Sequence, residues 1–170
     1  TAQPPEPAMF VIGPRLDPGV HACDSFLHRN QIPYERLDPD DPAAVARGGG
    51  GAAVEAPYPV VLLRDGTRLI APTMRVVATV AGLTVAPGRA RYDVAIVGGG
   101  PAGLTAAVNG ASEGLQTGLI ESFAPGGQAG TSTRIENYTG FPFGVSGDEL
   151  ASRALQQAKR LGAEIVVTRR

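Results

Sequence analysis

The chain has 170 residues, enough for one average domain or two small ones. Its 43% hydrophobic and 18% charged residues give an ordinary globular balance, and a net charge of −1 leaves no electrostatic footprint for nucleic acid or an anionic membrane. No apolar run approaches the roughly 18–20 residues that span a bilayer, no signal peptide is evident, and one cysteine builds no disulfide scaffold, so a reducing cytoplasm is the expected compartment.

The leader, residues 1–8, is Pro-rich and is expected to be irregular. "MFVIG" is then a short apolar run that reads as a strand. In "DPGVHACDSFLHRN", Asp17 is placed to cap a helix and Pro18 suits its first position. Val20, Cys23, Phe26 and Leu27 recur at helical spacing, so Cys23 is expected as a small buried core residue. "PYERLD" reads as a second strand, and Gly48–Gly51 as a flexible break. "YPVVLLRDGTRLI" reads as a hairpin turning at Asp65-Gly66. Thr73 caps a last helix, "MRVVATVAGL", with Gly82 at its carboxyl end. Pro87, Gly88, Arg89 and Arg91 then mark a linker over residues 85–91.

The order strand, helix, strand, break, hairpin, helix over residues 9–84 resembles a thioredoxin or glutaredoxin domain, most clearly in "NQIPYERLD" and "APYPVVLLRDG". The resemblance implies a cis-proline at Pro59. It also implies that the family's Cys-x-x-Cys would fall on Asp17-Pro18-Gly19-Val20, where both cysteines are absent. A dithiol exchanger needs a thiolate of low pKa at a helix start and a second thiol to resolve the mixed disulfide. The domain is therefore expected to be degenerate and redox-inert. His21 and His28 lack companions at ligand spacing, so no metal site is expected.

The second block, 92–170, opens with "YDVAIV", expected to be a buried parallel strand. "GGGPAG" supplies Gly98-x-Gly100-x-x-Gly103, with Gly99, Pro101 and Ala102 between. Gly98 allows a tight turn, Gly100 lets backbone approach a pyrophosphate, and Gly103 lets the helix pack closely on the strand. The helix from Pro101 to Ala111 aims its free N–H groups at negative charge. The next strand, "TGLIE", ends in Glu121 at the spacing of a ribose-binding carboxylate, followed by Ser122. Such a carboxylate repels a 2′-phosphate, so an adenine dinucleotide without one is expected. In "APGGQAGTSTRIENYTGFP", Gly126 and Gly127 let backbone approach a flat ligand, and Gln128 and Asn137 bring amide groups. The final helix, Ser146 to Leu161, spaces Leu150, Ala154, Leu155 and Ala158 on one face.

"GGGPAGLTAAVNGASEG", "GGQ", "IENYTGFP" and "SGDELASRALQQAKRLGAEI" together resemble the thioredoxin reductase family of FAD-dependent pyridine-nucleotide disulfide oxidoreductases. The fold this implies is α/β: a thioredoxin-like domain, then the first segment of an FAD-binding Rossmann-type domain, doubly wound and three-layered. Gly98 to Gly103 would wrap the FAD pyrophosphate and Glu121 would hold the adenosine ribose. Gly127 and Gln128 would meet the ribityl and flavin side, and Asn137 the flavin region. Electrons would pass from NAD(P)H through FAD to a disulfide or other acceptor, such as a thioredoxin-like protein. The NAD(P)H domain and redox dithiol would lie outside this chain, leaving no catalytic residue within it and an inactive isolated chain. A homodimer of the full-length protein is a further expectation. Thr1 in place of methionine and the closing "GAEIVVTRR" suggest a piece of a longer protein. The competing reading is a non-catalytic nucleotide-binding or partner-docking fragment.

Overall fold

The computed structural model describes residues 7–47 and 57–168, so most of the expected leader and the Gly48–Gly51 break lie outside the described residues. The chain divides into two compact units, Thr1–Ala81 and Gly82–Arg170.

The first unit runs β1 (Met9–Ile12), α1 (Pro18–Arg29), β2 (Tyr34–Leu37), α2 (Pro42–Ala46), β3 (Val60–Leu63), β4 (Arg68–Ile70) and α3 (Met74–Val80). Its sheet has the order β2-β1-β3-β4, with β1 parallel to β2 and antiparallel to β3, and β3 antiparallel to β4. Every residue of β1 is buried, so both sheet faces are covered. Phe10, Ile12, Leu37, Val60 and Leu62 form one cluster with Ala44 of α2. The strand period of two sends Met9, Val11 and Val61 to the opposite face.

The start of α1 follows from its first two residues. The Asp17 carboxylate accepts the Val20 N–H at 2.9 Å, and Pro18 fills the position whose N–H has no helical partner. Val20, Cys23, Phe26 and Leu27 are fully buried, each large side chain contributing about 1.5–3 kcal/mol of transfer free energy. The same Asp-Pro signature recurs at Asp41-Pro42, where Asp41 accepts the Ala43 N–H at 2.7 Å and starts α2. That helix is absent from the sequence expectation because five residues show no periodicity. The hairpin forms as expected, with a longer connection: Gly66 donates to the Leu63 carbonyl and adopts φ +86, so the turn spans Arg64 to Thr67 rather than Asp65-Gly66 alone. The Tyr58–Pro59 peptide is cis.

Burial pushes the Cys23 thiol up to about 12, helped by the neighbouring Asp24 charge. The expected consequence is a silent thiol: a disulfide reagent at pH 8 should leave native protein unmodified and label one thiol per chain in guanidinium. Rapid labelling of the native chain would contradict the buried placement.

The second unit runs β5 (Val94–Val97), α4 (Pro101–Ser112), β6 (Thr117–Ile120), a short 3-10 turn (Ala129–Thr131), α5 (Gly147–Arg160) and β7 (Glu164–Val166). Its sheet is parallel in the order β5-β6-β7. Helix α4 packs on β5 and β6, and α5 packs on α4, so both helices share one sheet face. This is two of the three layers of a doubly wound fold. The expectation of a buried β5 needs correction for that reason: Ile96 faces α4, whereas Ala95 and Val97 point away from it and are exposed, Val97 to 87%.

α5 is capped by Ser146, whose hydroxyl accepts the Glu149 N–H, and buries Leu150, Leu155 and Ala158, with Ala154 half-buried. Residues 84–92 are tied to the second unit. Val167 N–H donates to Thr84, and the Glu164 carboxylate accepts the Gly88 N–H and the Tyr92 hydroxyl, both at 2.7 Å. Among the described residues no helix is long and apolar enough to cross a membrane, and no group of three or more His, Cys, Asp or Glu could hold a metal ion.

Candidate functional site

The site grows from the end of β5. Its ladder ends in the Gly98 N–H, which donates to the Ile120 carbonyl at 2.8 Å. The chain then reverses direction through Gly98 at φ +96, a conformation that costs a side-chain-bearing residue free energy. Gly103 closes the turn from the helix side: a Cβ there would sit 1.9 Å from the Gly98 carbonyl oxygen. Gly100 is the N-cap of α4 and has no side chain to satisfy the helix's first N–H groups. Pro101 and the exposed Ala102 form the first turn. A Cβ on Gly100 would meet nothing within 4 Å, so the space ahead of the helix end is open. An open glycine before unsatisfied N–H groups at the positive helix end fits the diphosphate of a dinucleotide.

Glu121 lies one residue beyond β6 and turns its carboxylate toward this loop. One oxygen accepts the Gly99 N–H at 2.7 Å, and the other accepts the Phe123 N–H at 3.0 Å and the Ser122 hydroxyl at 3.1 Å. A carboxylate offers roughly four lone-pair sites, so the chain's three donors leave room for about one ribose hydroxyl. The structure thus brings Glu121, Ser122 and the glycine turn together.

It adds a second glycine segment to them. Gly126, buried at φ +112, donates its N–H to the Gly99 carbonyl at 2.7 Å. Gly127, at φ +54, lies so close that a Cβ would come within 3.1 Å of the Gly100 Cα. Gly127 is half-buried and Gln128 exposed beside the opening, where Gln128 leads into the 3-10 turn. Asn137 lies with Glu136 and Tyr138 to Pro142 around an open hollow of about 460 Å³. Its neighbour Tyr138 reaches a crevice that Pro101, Leu104, Gly126 and Gly147 also line. Tyr138 and Gly147 carried no signal as site residues. Gly147 was visible only as a glycine in a first helical turn, where a better helix former would ordinarily stand.

The unit that holds this geometry is similar to known proteins. Residues 93–165 match the family described as FAD dependent oxidoreductase. The chain is 47% identical over 73 residues to the thioredoxin reductase of Bacillus subtilis (strain 168), covering 43% of this chain and 23% of that protein. It is 43% identical over 77 residues to NADPH-dependent thioredoxin reductase 3 of Arabidopsis thaliana, covering 43% of this chain and 15% of that protein. The crystal structure of Lactococcus lactis thioredoxin reductase (FR conformation) matches at 40% identity over 45% of this chain and 25% of its own, with a TM-score of 0.43. The chain thus spans less than a quarter of the length of these two curated relatives.

The second unit is a parallel α/β segment that matches the FAD dependent oxidoreductase family over residues 93–165. Over these residues its sequence is similar to thioredoxin reductases.

Proposed function

We propose that this chain contributes the dinucleotide grip of a thioredoxin-reductase-like flavoenzyme. The observation that carries this reading is the convergence of the glycine turn with two short stretches some twenty residues further along the chain. The Gly98–Gly103 turn, Glu121 and Gly126-Gly127 meet at the amino end of α4, joined by the Gly99–Glu121 and Gly126–Gly99 bonds. Gly98 to Gly103 would hold the FAD diphosphate and Glu121 the adenosine ribose, with Ser122 fixing the carboxylate. Gly127 and Gln128 would border the ribityl and flavin side, and Asn137 would contact the flavin region. When bound, FAD supplies the capacity to accept a hydride and pass electrons on. The chain's own residues bind and orient it.

The reading extends to electron flow from NAD(P)H through FAD to a disulfide or other acceptor, such as a thioredoxin-like protein. The chain has a single cysteine, so a redox dithiol and the NAD(P)H site would come from outside these residues. A homodimeric holoenzyme in the cytoplasm belongs to the same proposal. For the first unit, we propose a thioredoxin-like scaffold without redox chemistry. The β2-β1-β3-β4 order supports this, as does Asp17 at the start of α1, where a nucleophilic thiol would be needed.

FAD titration tests the central claim. Protein purified and supplied with FAD should retain a yellow cofactor with flavin absorbance and quench its fluorescence. A colourless protein that ignores added FAD would sink the reading.

A further inference from the structure

Gly147 occupies the first turn of α5, a 14-residue helix, where glycine costs about 1 kcal/mol relative to alanine. It is not among the residues of positive φ, so no special backbone conformation requires it. What requires it is closeness. A Cβ at this position would stand 1.7 Å from the Ala129 carbonyl oxygen, 2.8 Å from the Ala129 carbonyl carbon and 3.1 Å from the Ser132 carbonyl oxygen. All three atoms are backbone, which cannot rotate aside as the end of a side chain can.

The segment pressed against Gly147 is the one that carries Gly127 and Gln128. It is fixed at both ends. At its front, Gly126 donates to Gly99 of the turn. At its back, the Gly147 N–H donates to the Ser132 carbonyl at 2.8 Å. Between them, Gly130 donates to Gly126, Thr131 to Gln128 and Ser132 to Ala129, closing the short 3-10 turn. The adenine side is built differently: Gly98 donates to Ile120 of β6, Gly99 to the Glu121 carboxylate, and Glu121 to Val166 of β7.

We propose that Gly147 is a positioning residue for the flavin half of the site: by lacking a side chain it lets α5 serve as the seat that sets Gly127 and Gln128 against the turn. This rests on the FAD reading above. It goes beyond it in separating the two halves of the dinucleotide, one built on the ends of β6 and β7 and the other seated on α5.

ADP and FAD distinguish the halves, because ADP carries only the adenosine and diphosphate. In the full chain, Gly147→Ala should weaken FAD binding about tenfold, the equivalent of one lost hydrogen bond to the ligand, while ADP affinity stays within about twofold. Ala129→Gly is the second variant. It loosens the same segment without a clash, and should weaken FAD about threefold with ADP unchanged. It decides the matter if Gly147→Ala fails to fold, as judged by circular dichroism without ligand. Equal loss of ADP and FAD, or unchanged FAD affinity in a folded variant, overturns the proposal. Wild-type protein that binds neither ligand overturns the FAD reading itself, a distinct result.

Discussion

Replacing Gly100 by valine is expected to lower FAD affinity by about 100-fold or more while the chain stays folded. The two halves of that statement have separate causes. The protein tolerates the substitution because a Cβ on Gly100 meets no atom within 4 Å and the backbone there is extended at φ −69. The cost to the fold is the poorer N-capping of valine, about 1 kcal/mol or less, or a few degrees in Tm for a unit of this size. The ligand does not tolerate it, because the vacant volume ahead of Gly100 is where backbone must come within contact of a diphosphate. Flavin retention after gel filtration, read beside a thermal melt without FAD, checks both halves. Unchanged flavin content would mean that the diphosphate does not lie against this turn. Loss of the fold would mean that the space is not open.

Three residues on, alanine at Gly103 is expected to do the reverse damage. Its Cβ would fall 1.9 Å from the Gly98 oxygen and 3.4 Å from Ile96 Cγ2. The oxygen belongs to backbone pinned on one side by the β5–β6 ladder, so the helix must move off the strand. Overpacking of this kind costs about 1–3 kcal/mol and sometimes more, against a gain of about 1 kcal/mol from replacing glycine in a helix. Because the clash is with backbone, the upper end of that range applies; a net loss of about 2 kcal/mol is expected, shifting the Tm of the second unit down by about 10 °C. Urea unfolding of the protein without FAD should show a lower midpoint with an unchanged slope. FAD binding falls too, so flavin content alone does not separate the two variants. Stability without the cofactor does. A Gly103→Ala protein as stable as wild type would show that α4 sits further from β5 than described.

The contrast shows how the site was legible. Strand, glycine turn, helix and Glu121 were readable because each rests on local chemistry: a positive φ, a helix start, a carboxylate at a strand end. α1 was readable from its cap and its periodic apolar residues, and α5 from the periodicity alone. What escaped were distances between segments remote in sequence. Gly126 read as a residue open to a flat ligand, yet its N–H is engaged by Gly99. Gly147 read as part of a helix start, yet its missing Cβ makes room for Ala129. β5 read as buried because Val-Ala-Ile-Val is apolar on both faces, and the sequence pattern carries no information on which face another layer covers. α2 was missed for its brevity, although Asp41-Pro42 repeats the signature that identified α1.

Cys23 has a use that follows from its silence. The chain has one thiol, sealed in the first unit, and a flavin, when bound, reports on the second. Labelling of Cys23 must wait for the first unit to open. Its rate at low reagent therefore measures that unit's opening equilibrium, and at high reagent the opening rate itself. Flavin emission follows the other unit at the same time. Without any engineered probe, a single sample can reveal whether the two units unfold as one cooperative body or as two.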